Sequence, residues 1–351
     1  MSGWYWDNFN VPERMALALA RAGSRVLYCE NPVSFLKHSP RTLTEVEKGV
    51  FAFGLKFVGL GRQLNSLPVL GQLQAKCLAN QIIGNARKLG LRDPIFVYPH
   101  GDYSLSLCRE FKRRGFRLVH VSMDYELELQ INHVSESDLT LCIPYAAYRE
   151  LYAQFGDKVK LLPQFSAAED AESVAREPLD PPVLARIPRP RLGYLGNLTG
   201  RVSIPILAEI LTEHPEWHFV SFGEANWLSL SNEHDMPWQA HGEASHVVDG
   251  LDVGFMPYDC AVPKNLHCVP LKLFDYFARG IAVVSTPIVY LSEFRDLVYL
   301  GSTPEELSKA IAEALMEPEH SPKKAKRQAI AREHSIGNLS RLLVTMLDMA
   351  N

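Results

Sequence analysis

The sequence predicts an α/β protein of two doubly wound, Rossmann-like domains, on three observations. Its 351 residues make about two domains at the usual ~100–200 residues each. Both halves alternate continuous apolar runs with stretches of helical period, the pattern of parallel strands covered by helices on both faces. Between the halves, residues 166–190 pass from Ala, Glu and Asp to Pro178, Pro181, Pro182, Pro188 and Pro190, the composition of a linker.

The first domain is expected over 1–165. A helix is predicted over 12–22, with Asn10 as N-cap, Glu13 as its capping-box partner, Pro12 in the first turn and Gly23 as the stop. Strands are predicted at 25–30, 94–98, 118–122, 139–142 and 159–162. A doubly wound domain normally starts with its central strand, yet only Gly3, Trp4, Tyr5 and Trp6 stand before the first helix. Either these form a short strand or the natural chain begins further upstream. The second domain is expected over 191–324, with strands near 192–195, 218–222, 253–256 and 281–285 and helices near 204–214, 271–279 and 304–316. Residues 325–351, following the basic run that starts at Lys323, are expected to be helical and to pack back on the first domain.

Composition narrows the function classes. Hydrophobic residues make up 47% and charged residues 22%, which excludes a disordered chain. A net charge of −4 gives no global attraction to nucleic acid, so no nucleic-acid partner is expected. The cysteines at 29, 77, 108, 142, 260 and 268 form no C-x-x-C pair and no zinc-like spacing with histidine, and read as reduced thiols of a cytoplasmic protein. Apolar stretches are broken within about ten residues, short of the ~18–20 needed to cross a bilayer, and no basic-then-apolar leader opens the chain.

In open α/β sheets, ligands bind beyond the carboxyl ends of strands, where free backbone N–H groups at helix starts attract anions. Two stretches have that form. In 192–201, Gly196 and Gly200 allow close backbone approach and Arg201 can neutralise a phosphate; a plain turn with a solvated arginine is the alternative. In 256–286, Pro270 suits a first helical turn and Gly280 a helix end. Between them Lys272, Asp275 and Arg279 fall on one polar face, and Leu271, Phe274 and Phe277 or Ala278 on the apolar one. A diphosphate at this helix start would meet Lys272 and the free N–H groups, leaving Asp275 to accept hydrogen bonds from ribose hydroxyls. The alternative is a surface helix with an ordinary Lys/Asp pair.

Carried by Pro270, Lys272, Asp275, Tyr276, Ala278, Gly280, Val283 and Val284, this stretch resembles the Pro-x-Lys-x-x-Glu-Tyr-x-Ala-x-Gly-x-Pro-Val-Val donor motif of GT-B glycosyltransferases, in the group related to bacterial exopolysaccharide enzymes. Residues 192–196 and 214–220 look like the opening of the same domain, and 6–32, 137–140 and 161–164 are similar to the acceptor domain of that group. The resemblance implies a GT-B fold with two domains facing across a cleft and a nucleotide-sugar donor held by the second. Phosphates would lie at Lys272 and Arg201, ribose at Asp275, and Gly196, Pro270 and Leu271 would line the approach. It also implies transfer to a saccharide or lipid-linked acceptor in surface polysaccharide assembly. The Glu that contacts the donor sugar in many retaining relatives would fall at position 267, where this chain has His267; His267 is counted with the donor-binding residues, and the sugar and the stereochemical outcome are left open.

Catalytic groups are expected from the first domain, where a carboxylate or imidazole would deprotonate the acceptor hydroxyl. Asp124, after the strand ending at Ser122, and His100, after the one ending at Tyr98, are the candidates for base or sugar contact, with Asp7 a third; a helix cap or loop brace is the alternative for each. No Asp-x-Asp triplet occurs, so metal-independent transfer is expected, with no cofactor beyond the nucleotide sugar as substrate. Residues 41–92 set cations such as Lys56, Arg62 and Lys76 among Phe51, Phe53, Leu55, Val69 and Leu70. This suits peripheral docking on an anionic inner leaflet, with an ordinary core helix as the alternative. Two other functions are weighed: a catalytically silent GT-B-like protein that binds nucleotide or partners, and an NAD-dependent oxidoreductase. The second is disfavoured because no G-x-G-x-x-G opens either half, although Glu30 ends a strand where a ribose-binding acid would lie.

Overall fold

The computed structural model describes residues 10–34, 41–57, 68–99, 104–165, 181–196, 198–222, 228–236 and 247–348. The chain divides into a first unit, Met1–Pro163 with Leu339–Asn351, and a second, Gln164–Asn338.

The first unit opens with α1 (Val11–Arg21), where Asn10 N–H donates to Glu13 Oε2 at 2.7 Å, the backward half of a capping box. Glu13 is buried, and desolvation holds its carboxyl above the usual range while Tyr28 donates to it. Tyr28 lies in β1 (Val26–Ser34), which pairs parallel with β3 (Val50–Phe57); β2 (Thr44–Glu47) joins β3 as an antiparallel hairpin. This three-stranded sheet, in the order β1-β3-β2, is separate from a parallel four-stranded sheet of β4 (Phe96–Pro99), β5 (Leu118–Ser122), β6 (Leu139–Cys142) and β7 (Val159–Leu161). Among the described residues the first unit therefore holds two sheets, where one doubly wound sheet was expected. Its helices are α2 (Pro68–Lys88), α3 (Ser104–Arg113), α4 (Leu127–Glu136) and α5 (Tyr145–Phe155). Phe53 and Leu55 of β3 pack with Leu78 and Ile82 of α2 and Phe111 of α3, which corrects their expected place on a docking surface: they are core.

The second unit is one six-stranded parallel sheet of β8 (Arg191–Leu195), β9 (His218–Phe222), β10 (Glu233–Met236), β11 (Val253–Met256), β12 (Ala282–Ser285) and β13 (Val298–Leu300), in the order β10-β9-β8-β11-β12-β13. Leu192, Phe219, Phe255 and Val284 face one side, against α6 (Ile204–Glu213) and, after the short α7 (Pro263–Leu266) and α8 (Leu271–Ala278), α9 (Pro304–Leu315). Val220, Phe222 and Val283 face the other, against Leu273, Phe274 and Phe277 of α8 and Ala331 of α10 (Pro322–Glu333). Leu184 and Ile187, placed in the linker by composition, are buried in this second core. The last helix, α11 (Ile336–Asp348), buries Leu339, Leu343 and Leu347 at intervals of four, and Leu347 carbonyl accepts from Arg117 in the first unit's β5 approach. All six cysteines are free thiols.

Strand order reverses between β8 and β11, since β9 lies to one side of β8 and β11 to the other. Such a switch point leaves a crevice at the carboxyl ends of the two strands.

Candidate functional site

β8 runs out through Leu195 into Gly196, whose φ of +114° belongs to the region that favours glycine. Gly196 N–H donates to Phe222 carbonyl at 3.1 Å, fixing the turn to the neighbouring strand. The following loop is sewn to the one after β11: Asp259 N–H donates to Arg201 carbonyl at 2.9 Å, and Ser203 N–H to Pro257 carbonyl at 2.8 Å. Asn265, in α7 and fully buried, completes the seam. Its Nδ2 donates to the carbonyls of Gly200 at 3.0 Å and Asp259 at 3.1 Å, and its Oδ1 accepts from Arg201 Nη1 at 3.3 Å. Sequence reasoning missed this residue, because nothing in the spacing of 263–266 marks an amide as a brace.

α8 starts at this seam. Pro270 is its N-cap, with extended backbone at φ −75° and ψ 120°, and no side chain caps the helix start. The N–H groups of Leu271 and Lys272 thus point out of the helix end with the positive end of its dipole behind them. Lys272 carries its ammonium to 3.4 Å from the Tyr194 ring centroid and 5.5 Å from that of Tyr258, beside Gly196. Among the described residues no carboxylate comes within ion-pair distance of this ammonium. Burial holds its pKa well below the ordinary lysine range; Cys268 opposes that shift, the Arg201 guanidinium adds to it, and Asp275 opposes it. Gly196, Arg201, Pro270, Leu271, Lys272 and Asp275 are therefore gathered around one strand end and one helix start. A half-buried cation near a second cation, set against aromatic faces and free N–H groups, is a place for an anion.

The neighbours divide in their roles. Asp275 is half-buried one turn along α8. Arg279, placed on the same polar face by its spacing, turns instead to a buried ion pair with Asp249. Tyr276 is fully buried, donating to Gly193 carbonyl at 2.9 Å and accepting from Leu195 N–H at 3.2 Å. His267 ends α7, its N–H donating to Pro263 carbonyl at 3.1 Å, and its side chain is half-buried.

In the first unit, Asp124 follows the carboxyl end of β5, half-buried, and its carbonyl accepts from the buried Gln130 side chain of α4. Below that strand end, Tyr98, His120 and His133 form a stack that sequence reasoning did not single out, with the two imidazoles 5.3 Å apart and Tyr98 5.5 Å from His120. His100 and Asp7 lie outside the described residues. Glu30 is buried and receives Arg41 Nε at 2.9 Å, a structural ion pair that removes it as a ribose-binding acid. Among the described residues no group of three or more His, Cys, Asp or Glu side chains is placed to hold a metal ion.

No protein-family model matches the chain. A Bacillus subtilis (strain 168) protein named as a teichuronic acid biosynthesis glycosyltransferase, TuaH, is 26% identical over 113 residues, 30% of this chain and 28% of that protein. The matched stretch thus spans less than a third of that relative. Among solved structures, a UDP-forming α,α-trehalose-phosphate synthase from Burkholderia xenovorans, in complex with glucose-6-phosphate, superposes with a TM-score of 0.65 at 10% identity, covering 95% of this chain and 96% of that one. Anabaena Alr3699/HepE in complex with UDP-glucose superposes with a TM-score of 0.62 at 13% identity, covering 84% and 86%. At such identities the likeness is one of fold, and the fold of this chain is that of the GT-B glycosyltransferases.

Proposed function

We propose that the chain is a glycosyltransferase that moves a sugar from a nucleotide-diphosphate donor to a saccharide or lipid-linked acceptor in surface polysaccharide assembly. The observation that carries this is the Lys272 ammonium, half-buried, without a carboxylate in ion-pair distance among the described residues, and set against Gly196 beside Arg201. The teichuronic acid relative and the UDP-glucose complex of a neighbour with the same fold support the substrate class.

As the bond from sugar to diphosphate breaks, negative charge collects on the departing phosphate. Lys272, Arg201 and the N–H groups of Leu271 and Lys272 are preorganised to meet it. This cation pair does the work that a bridging metal ion would otherwise do, so we read the transfer as metal-independent. Asp275 accepts from ribose hydroxyls one turn along, with Pro270 and Leu271 beneath the nucleotide and His267 on the sugar side. Asp124 or His100 takes the proton of the attacking hydroxyl.

Peripheral docking on an anionic inner leaflet, at a cytoplasmic location, belongs to the same proposal. Among the described residues no helix is long and apolar enough to cross a membrane. The start of α2 exposes Val69, Leu70 and Leu73 by 70%, 41% and 56%, with exposed Lys76 on the face of Val69 and Leu73. Such apolar groups beside a cation suit a lipid headgroup boundary, each cation adding about 1 kcal/mol.

A thermal-shift panel of nucleoside diphosphates identifies the base, since a ligand that binds only the folded chain raises its Tm. With that nucleotide, Lys272→Ala is expected to lose about 1.5–3 kcal/mol of affinity without unfolding; unchanged affinity removes the lysine from the phosphate. Asp124→Asn is expected to keep nucleotide binding and lose release of nucleoside diphosphate in the presence of acceptor, and near-normal release would discard it as the base. Binding without release for any acceptor in the wild type would favour the silent GT-B-like protein.

The lowered pKa of Lys272 makes nucleotide binding pH-dependent. An arriving diphosphate raises that pKa, so the complex takes up a proton at pH values between the lowered and the restored pKa. Affinity therefore falls as pH rises through that window. Calorimetry in buffers of different ionisation enthalpy, above the titration of the terminal phosphate, reads the uptake, and Lys272→Met is expected to abolish it. For the membrane, flotation with anionic liposomes is expected to recover the wild type and not a Lys56→Gln/Arg62→Gln/Lys76→Gln variant; equal recovery would count against docking.

A further inference from the structure

We infer that Tyr276 is a positioning residue: it wedges the sheet open at the switch point between β8 and β11, and so sets the distance from the Gly196 turn to the Lys272 ammonium. The inference rests on the diphosphate reading of this site and goes on to say what holds it in shape.

The ladder between β8 and β9 runs on to Leu195 and Phe222, whereas the ladder between β8 and β11 stops at Gly193 and Gly254. Gly196 N–H turns toward β9, so by alternation Leu195 N–H and Gly193 carbonyl turn toward β11. Those are the two groups that Tyr276 hydroxyl engages, accepting from the first at 3.2 Å and donating to the second at 2.9 Å. One phenol thus takes the N–H of Leu195, which the ladder to β11 does not reach, and adds a donor to the carbonyl of Gly193, the last residue of β8 which that ladder pairs. Burial keeps the phenol protonated, so the donated bond persists over the working pH range. A Cβ at Gly254 would lie 2.5 Å from the ring, so the absence of a side chain there is what lets the wedge enter.

Lys272 stands one turn before Tyr276 on α8 and meets the same strand from beyond its end, over the Tyr194 ring. The helix is therefore clamped to the end of β8 by two side chains one turn apart. A core tyrosine that merely satisfied its own hydroxyl would need a single carbonyl; here the hydroxyl also holds the backbone N–H that the end of the ladder leaves at Leu195.

The test compares inorganic pyrophosphate with inorganic phosphate by calorimetry on the full chain, in the wild type, Tyr276→Phe, Gly254→Ala and the core control Leu211→Ala, which lies on the other face of the sheet. The wild type is expected to prefer pyrophosphate. Tyr276→Phe, which frees Leu195 N–H and releases the phenol from the strand end, and Gly254→Ala, which displaces the ring, are each expected to lose roughly tenfold of that preference. Leu211→Ala is expected to lower Tm and leave the preference intact. An unchanged preference in both site variants, or an equal loss in the control, overturns the positioning role. A wild type that does not bind pyrophosphate overturns the diphosphate reading itself, and the inference with it.

Discussion

A half-buried lysine ammonium set against aromatic rings is the interaction around which the candidate site is organised. Removing an ammonium from water is costly, and a ring face returns only about 0.5–2 kcal/mol of that cost. Arg201 works against the charge and Asp275 for it. The site therefore attracts an anion. It can do so only because its surroundings cannot relax: Asn265 locks the Arg201 loop to the Asp259 loop, and Gly196 is tied to β9. A looser loop would let Arg201 swing into solvent and hydrate the lysine further, and the attraction would weaken.

Much of the fold was legible because its central strands are covered on both faces. The strands at 118–122, 218–222 and 253–256 coincide with continuous apolar runs, and each is buried at nearly every position. The strands that sequence reasoning missed are short or lie at edges. β2 is exposed at three of its four positions, β10 is half-buried along most of its length, and β13 has three residues. An edge strand has no second neighbour to demand apolar side chains, so its pattern carries little signal. β3 was lost for a different reason: its cation, Lys56, and its aromatic residues read as a surface, while Phe53 and Leu55 turn inward against α2 and α3.

The site was legible where a residue type declares its chemistry, and opaque where a residue acts through its neighbours. Gly196, Arg201 and Lys272 could be named from a glycine turn, a lone cation and a helix start, and the structure gathers all three. Spacing put Arg279 on the same face as Lys272, but its partner Asp249 lies thirty residues back, beyond the reach of helical periodicity. Tyr194 and Tyr258 have the burial of ordinary core residues; that they form the floor beneath an ammonium depends on which strand ends stand side by side.

Close approach of helix to sheet is the condition that makes those strand ends useful. On the face that receives α8, the central strands carry Gly193 and Gly254, and a Cβ at either would meet Leu251 or Tyr276 at under 3 Å. A side chain at Gly254 would push α8 outward by about the thickness of a methyl group, and one at Gly193 would displace Leu251 from the same core. Lys272 would then no longer reach past the end of β8 to lie over Tyr194, nor would the tyrosine hydroxyl meet both backbone groups of the strand. The cation's place at the crevice is thus decided two layers below it, by the absence of side chains on the strands rather than by any group that a ligand could touch.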